Sequence, residues 1–350
     1  MSFTRRGKLA VAAGTVGVLA LAAVGYFAMF PNNAPAIVQQ AMSRVGLVEE
    51  PPPPACPLTG QPAPHGEVPD RPALAIKVEN LAEARPQAGL DRADIVYEEP
   101  VEGGITRFIV VYQCHDANRV GPVRSARTTD PDVLAQFGRP ALGYAGAAGR
   151  VQTVIDQAHL IDVGYHVATD AYWRDDVRPS PHDLYTTTRA LWKAARPSRA
   201  APDPVFDYAP DLEVASRKAS SVHLPFSSYS DVFWKWSRKD AAWLRFHGTE
   251  AHVLDDGAQV AAANVVVMQV EVHAGAIRDA AGNPSPVVTL TGSGRAYVLR
   301  DGRVVVGRWE RPTLDDVTTF VTRDGEEIPL APGVTWVELL PGTIEVALKR

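Results

Sequence analysis

Apolar positions along this chain change period several times, and each period predicts a different element. The first run, Leu9 to Phe30, is uncharged over 22 residues. At about 1.5 Å per residue it matches a bilayer core of roughly 30 Å. Arg5, Arg6 and Lys8 precede it, which predicts a cytoplasmic segment at 1–8, an anchor at 9–30 and the bulk of the chain outside. Ala34-Pro-Ala36 offers a small-residue cleavage site, but the run exceeds the about 7–15 residues of a signal-peptide core, so a retained anchor is the reading adopted. A proline-rich tether follows over 31–55, ending in Pro51–Pro54, where consecutive prolines favour an extended chain.

From residue 56 the pattern alternates between strand and helix periods. Leu74, Ile76 and Val78 alternate with Ala75, Lys77 and Glu79, predicting a half-buried strand. Ala93–Tyr97 predicts a second strand. Ile105–Gln113 is apolar on both alternating sets and predicts a central strand covered on both faces. Asp130 as cap, Pro131 at the first position and Gly138 at the exit predict a helix. A strand over Ala141–Gly146 leads through Ala147-Ala-Gly149 into a helix with Val151, Val154, Ile155 and Ala158 at helical spacing. That junction lacks the lysine and glycine spacing of a phosphate-binding loop. Thr186-Thr-Thr188 caps a last helix carrying Leu191 and Trp192. Strands alternating with helices predict a layered α/β domain over 56–197.

Proline-rich sequence then predicts a linker over 198–215, and a smaller β-rich domain over 216–345. Asp301-Gly302 between two apolar runs predicts a type I′ hairpin. Val265–Val272 and Val334–Leu340 add strands, and Asp324-Gly325 another turn. Phe233-Trp-Lys-Trp236 and Trp243 read as core aromatics, with sugar stacking as the alternative. The expected fold class is therefore mixed α+β, preceded by one transmembrane helix.

Composition narrows the function classes. A formal net charge of −5 argues against a nucleic-acid partner. Cys56 and Cys114 are the two cysteines, and both lie beyond the apolar run. In an oxidising compartment such a pair predicts a disulfide, and closing a loop of roughly 60 residues stabilises by about 4 kcal/mol in the chain-entropy model. Cys114 and His115 are adjacent, so a strand would point them to opposite faces rather than pair them as nucleophile and base.

The chemistry-bearing residues concentrate in Arg85–Arg107 and Gly121–Arg127. Arg107, Arg124 and Arg127 flank one central strand together with Glu98 and Glu102. Guanidinium groups grip phosphate or carboxylate in fork geometry, so Arg107, Arg124, Arg127, Glu98, Ser125 and Tyr185 are the candidate ligand-binding set. The competing reading is an internal Arg–carboxylate network that pins the loops, with Gly103-Gly104 serving only to bend the backbone. His182, beside Asp183, Tyr185 and Asp175, is the candidate base, with Glu102 as its acid partner. His252 with Asp255 is a weaker pair that a turn explains. No metal-ligand spacing is present, and the sequence indicates neither a cofactor nor an oligomeric state.

The order of these motifs resembles the YerB-type lipoprotein family. Cys56-Pro-Leu-Thr-Gly60, Arg85-Pro-Gln-x-Gly-Leu90, Ala93-Asp-Ile-Val-Tyr-Glu98, Glu102-Gly-Gly-Ile-Thr-Arg-Phe108 and Gly121-Pro-Val-Arg-Ser-Ala-Arg127 carry the likeness. So do Trp173-Arg-Asp175, Pro181-His-Asp-Leu-Tyr-Thr186, Gly294–Trp309 and Pro332-Gly-Val-Thr-Trp-Val337. The resemblance implies an exported two-domain protein of unknown function. Two departures stand out: Cys56 lies about 26 residues beyond the apolar run, unlike a lipid-modified cysteine, and Asp183 stands where the family tends to have Asn. The expectation is a membrane-tethered, extracytoplasmic envelope protein binding an anionic wall or envelope ligand, or a protein partner. Its rivals are a hydrolase of envelope glycans or phosphodiesters using His182 and Glu102, and a scaffold that presents the β-rich domain to another protein.

Overall fold

Strands form where apolar side chains can be buried on both faces of the backbone at once. β1 (Leu74–Glu79), β2 (Ile95–Pro100) and β3 (Thr106–Tyr112) form an antiparallel group with β3 in the middle. Gly103 and Gly104 turn the β2–β3 connection with φ of 71° and 74°, values that a side chain would strain. β4 (Ala141–Gly143) runs parallel to β1, and β5 (Ile161–Asp162) parallel to β4. β6 (Tyr172–Arg174) and β7 (Leu184–Thr186) make a separate hairpin. Three helices lie among these strands: α1 (Thr129–Leu134), α2 (Gly149–Gln157) and α3 (Thr188–Ala194).

These positions come from a computed structural model that describes residues 53–196, 200–279 and 282–350. The expected anchor at 9–30, and the tether up to residue 52, lie outside the described residues. Among the described residues no helix is long and apolar enough to cross a membrane.

The second half is almost entirely strand. β8 (Arg217–Lys218), β9 (Ser221–Pro225), β10 (Asp231–Ser237), β11 (Ala242–His247), β12 (Glu250–Ala251) and β13 (Ala261–Ala262) come first. The long β14 (Asn264–Arg278), β15 (Pro284–Thr289), β16 (Gly292–Arg300) and β17 (Arg303–Arg311) follow. β18 (Thr319–Val321), β19 (Thr335–Pro341) and β20 (Ala347–Lys349) complete it. Asp301 and Gly302 close the β16–β17 hairpin with φ of 52° and 66°, the left-handed pair that the Asp-Gly signal requires.

The two halves share one main-chain ladder. The larger sheet runs β18-β17-β16-β14-β19-β2-β3-β1-β4-β5. β19 lies between β14 and β2 and is parallel to both. A strand from near the C-terminus thus sits at the centre of the sheet, where each neighbour satisfies one edge of its backbone. The segment expected as a linker is stitched in as well, since Arg300 donates to the carbonyls of Ala209 and Pro210 and Tyr208 to that of Leu58. One face of this sheet packs on α3 and on the smaller sheet of β9–β13 and β20, around Phe108, Trp234, Trp243 and Trp336. The other packs on α1 and α2, around Ile109, Leu134, Phe137 and Ile155. Trp234 and Trp243 are fully buried and Trp236 packs against them, so the tryptophans fill the core, while Phe233 stacks on His223.

Three expectations need correction. β1 is covered on both faces rather than half-buried, and Lys77 and Glu79 are fully buried. Asp130 does not cap its helix. It lies in the first turn, where its carboxylate accepts from the Arg127 backbone N–H at 2.8 Å and from Lys77. β14 extends six residues beyond the predicted Val272. The expected disulfide is present, with Cys56 and Cys114 at a Cα–Cα distance of 6.0 Å.

A lysine inside a sheet needs counter-charge, and Lys77 has it from Glu99 and Asp130. Burial first, with Asp130 as a like-charged neighbour, pushes the Glu99 carboxyl up; Lys77 opposes the shift. Lys77→Met removes the cation and leaves two carboxylates facing each other in the core. Breaking such a buried pair costs about 3–5 kcal/mol, so chemical denaturation should show a loss of that size. An unchanged midpoint would mean that the trio is solvated.

Candidate functional site

Three of the sequence-predicted arginines meet at one end of the central strands. The alternation of β1, β2 and β3 places Lys77, Glu79, Glu99 and Arg107 on the same sheet face, with Glu79 opposite Arg107 and Arg107 opposite Glu99. The extended segment after Gly121 runs past that end, and Arg124 donates its backbone N–H to the carbonyl of Lys77. The result is a cavity of about 450 Å³ lined by Arg107, Arg124, Arg127, Ser125 and Glu102, with Leu81, Ile105, Ala148 and Val151 as its apolar wall. It lies at the carboxyl ends of the parallel strands β1 and β4, where open α/β sheets commonly hold ligands.

The arginines differ in how far they are already committed. Arg124 donates through Nε to Glu79 at 3.0 Å. Arg127 donates from Nε and Nη2 to one oxygen of Glu102, at 2.8 and 2.6 Å. Arg107 forms no ion pair among the described residues. One nitrogen donates to the Ser125 carbonyl at 2.9 Å, and Nε is buried with no acceptor. It is 6% exposed. Burial first, then the charges of Arg127 and Arg124, pulls its guanidinium down to about 10, with Glu102 and Glu79 opposing the shift, so it stays cationic at neutral pH.

The proposed acid–base pair is not assembled. His182 lies half-buried with Nδ1 2.8 Å from Oε2 of Glu79. Glu102 is held elsewhere, by Arg127 and by the Ser285 hydroxyl. Burial works to raise the Glu102 carboxyl, but the hydrogen bonds from Arg127 and Ser285 outweigh it and hold it below the ordinary value. A carboxylate held ionised does not serve as a general acid near neutrality. Among the described residues no group of three His, Cys, Asp or Glu side chains is arranged to hold a metal ion.

Glu98 and Tyr185 stand apart from the cavity. Glu98 points to the opposite sheet face, fully buried, and accepts from Thr106 and from Arg245 of β11, both at 2.6 Å. Tyr185 is buried beneath the Arg119 guanidinium, 3.9 Å from its ring centroid, and stacks on Trp173. Asp175 and Asp255 both pair with Arg119, and Asp183 pairs with Arg174 at 2.6 Å. His252 binds Arg245 and Gln87 at 2.8 and 2.9 Å rather than Asp255. Burial first, then Arg245, pushes the His252 imidazole well below its ordinary value.

Sequence reasoning missed the far wall of the cavity, formed by Ile277, Arg278, Asp279 and Ser285. It also missed Glu79, which joins Arg124 to His182. The far-wall residues lie well over a hundred positions from the arginines, and no local pattern links them.

Comparison with known proteins identifies the family and the fold. Residues 58–201 match the model described as "Protein of unknown function (DUF3048) N-terminal domain", and residues 222–337 match the corresponding C-terminal domain. The chain belongs to the DUF3048 family. It is 27% identical over 293 residues to "Putative lipoprotein YerB" of Bacillus subtilis (strain 168), covering 81% of this chain and 86% of that protein. The crystal structure of YerB from Bacillus subtilis superposes with a TM-score of 0.72 at 24% identity, covering 84% of this chain and 99% of that one. The YerB-type resemblance read from the motifs therefore holds, and of the expected fold the two-domain, mostly sheet architecture matches that structure. The relative's name describes a lipoprotein and states no activity.

The Glu98 network yields its own test. Glu338 is fully buried, accepts from Trp234 Nε1 at 2.7 Å, and leaves Oε2 without a donor. Burial first, then the Glu98 charge, pushes its carboxyl well above the ordinary value, the direction that favours the protonated acid beside Glu98. A folded-state value above the unfolded one means a contribution that is lost as pH rises. Glu338→Gln mimics the protonated acid, and its stability relative to wild type should grow from pH 5 to pH 8 by up to about 1.4 kcal/mol per unit. A difference independent of pH would show an ionised Glu338.

Proposed function

We propose that this chain is an extracytoplasmic envelope protein that binds an anionic ligand in the Arg107–Arg124–Arg127 cavity, tethered to the membrane through the apolar segment at 9–30. Arg107 carries the reading. A buried guanidinium with no carboxylate partner among the described residues, beside two further guanidiniums, is costly to desolvate and is relieved by an incoming anion. Arg124 and Arg127, by contrast, are held in place by Glu79 and Glu102 and so keep the cavity open without consuming Arg107. The lipoprotein name of the Bacillus subtilis relative supports the location outside the cytoplasm.

A hydrolase reading retains one observation in its favour, the Glu79–His182 hydrogen bond of 2.8 Å. A buried carboxylate orients imidazole this way in catalytic pairs. The ionised, doubly bound Glu102 supplies no acid partner to it.

Thermal shift of the full-length protein in neutral detergent, with inorganic phosphate as probe, tests the binding reading. Phosphate should raise the melting temperature, because a ligand that binds only the folded state stabilises by mass action. Arg107→Gln should abolish the rise while leaving the ligand-free melting temperature unchanged or higher. Arg124→Ala should lower the ligand-free value, since Glu79 loses a partner. An equal phosphate shift in wild type and Arg107→Gln would place the anion elsewhere, and no shift in wild type would remove the pocket.

A further inference from the structure

The far wall of the cavity is a projecting arm made by the outer part of β14 and by β15. Its register slips between Ala274↔Pro286 and Arg278↔Pro284, so Gly275, Ala276 and Ile277 face Ser285 alone. Bulges of this kind re-aim side chains and recur beside binding sites. At Gly275 a Cβ would lie 2.6 Å from the Ser285 carbonyl, so the slip needs glycine there. The arm is fixed to the cavity floor by the Ser285–Glu102 hydrogen bond and by Ile277, which packs against the core below α2. Arg278 then lines the cavity. It donates to the Gly282 carbonyl at 2.7 Å and has no ion pair among the described residues.

The charges and shape limit what fits. Four guanidiniums, of Arg107, Arg124, Arg127 and Arg278, face two carboxylates on the lining, of Glu102 and Asp279, and Glu79 pairs with Arg124 from behind it, which leaves a net of +1. Arg107 and Arg278 are the two that no carboxylate offsets directly. The N-terminus of α2 also arrives here, with Ala148 and Val151 on the wall and no side-chain cap. Its first-turn N–H groups are left for an incoming acceptor. A carboxylate has only two oxygens, too few to accept from all the guanidiniums and helix N–H groups that converge here. A phosphate monoester has three terminal oxygens and a charge of about −1.5 to −2 at pH 7. Its fourth oxygen carries a substituent, and the remaining wall, Leu81, Ile105, Val151 and Ile277, is apolar.

We infer that the cavity takes a phosphate monoester of an apolar alcohol, with Arg107, Arg124 and Arg127 on the phosphate, Arg278 closing over it from the β14–β15 arm, and Ile277 against the substituent. This rests on the anion-binding reading and names its ligand class. A lipid head group and a small soluble ester share that chemistry.

Competition calorimetry on the full-length protein in neutral detergent tests it with four probes: inorganic phosphate, hexyl phosphate, hexanoate and dihexanoyl phosphatidic acid. Hexyl phosphate should bind at least tenfold more tightly than either inorganic phosphate or hexanoate. Ile277→Ser should bring hexyl phosphate down to the level of inorganic phosphate while leaving the latter unchanged. Arg278→Gln should weaken hexyl phosphate about tenfold and hexanoate much less. Phosphatidic acid binding more tightly than hexyl phosphate assigns the ester to a lipid head group, and weaker binding assigns it to a small ester; both keep the class. Hexanoate matching hexyl phosphate would overturn the phosphate assignment but leave an anion pocket standing. Unchanged hexyl phosphate affinity in both Ile277→Ser and Arg278→Gln would overturn the role of the arm. Loss of every anion, with the melting temperature of wild type intact, would instead remove the parent reading.

Discussion

Burial of charge at one end of a doubly covered sheet is the constraint around which this molecule is arranged. β1, β2 and β3 carry Lys77, Glu79, Glu99 and Arg107 on one face, all of them at or near full burial. An isolated ion in such a place costs several kcal/mol, and only close partners offset that. The partners come from separate segments: Asp130 from α1, Arg124 and Arg127 from the strand-like run after Gly121, and Glu102 from the β2–β3 turn. Each ion pair thereby fixes a loop to the sheet end. The loops are ordered because the charges must be matched.

The matching is incomplete at one position. Lys77 takes two carboxylates, while Arg124 and Arg127 take one each. Arg107 receives only a backbone carbonyl. A purely structural network would gain from giving it a counter-ion or from replacing it with an apolar residue. An arginine kept cationic and open to a cavity is instead arranged as a binding group, with its neighbours held still so that the ligand meets a formed site. The Glu98–Arg245 pair on the opposite face shows the contrast, since there the buried guanidinium has a carboxylate partner. There, buried charge ties the larger sheet to the smaller one.

Much of this was legible in the sequence. The doubly apolar run at β3, the Asp301-Gly302 hairpin, the Thr187 cap and the cysteine pair carry local signals strong enough to name the elements. Arg107, Arg124 and Arg127 were also visible as one group, because they flank one strand. Two kinds of fact were not visible. Lys77 and Glu79 looked like the wet side of a strand, since alternation of charged and apolar residues normally means exposure; here long-range ion pairs pay for burying them. Ile277, Arg278 and Ser285 meet the arginines only because β19 is inserted between β14 and β2. A parallel pairing across more than two hundred residues leaves no trace in local periodicity. Tyr185 and Glu98 were grouped with the site by sequence proximity, and the strand pleat sent both to other surroundings.

The most direct measurement is the anomalous scattering of tungstate, a tetrahedral dianion that stands in for phosphate, diffused into crystals of the protein at moderate concentration. The density should lie between Arg107, Arg124 and Arg127, with the Arg107 Nε that now lacks an acceptor directed at it. Tungstate bound only at other cationic surfaces, with Arg107 unchanged, would contradict the claim that this buried guanidinium is kept for a ligand.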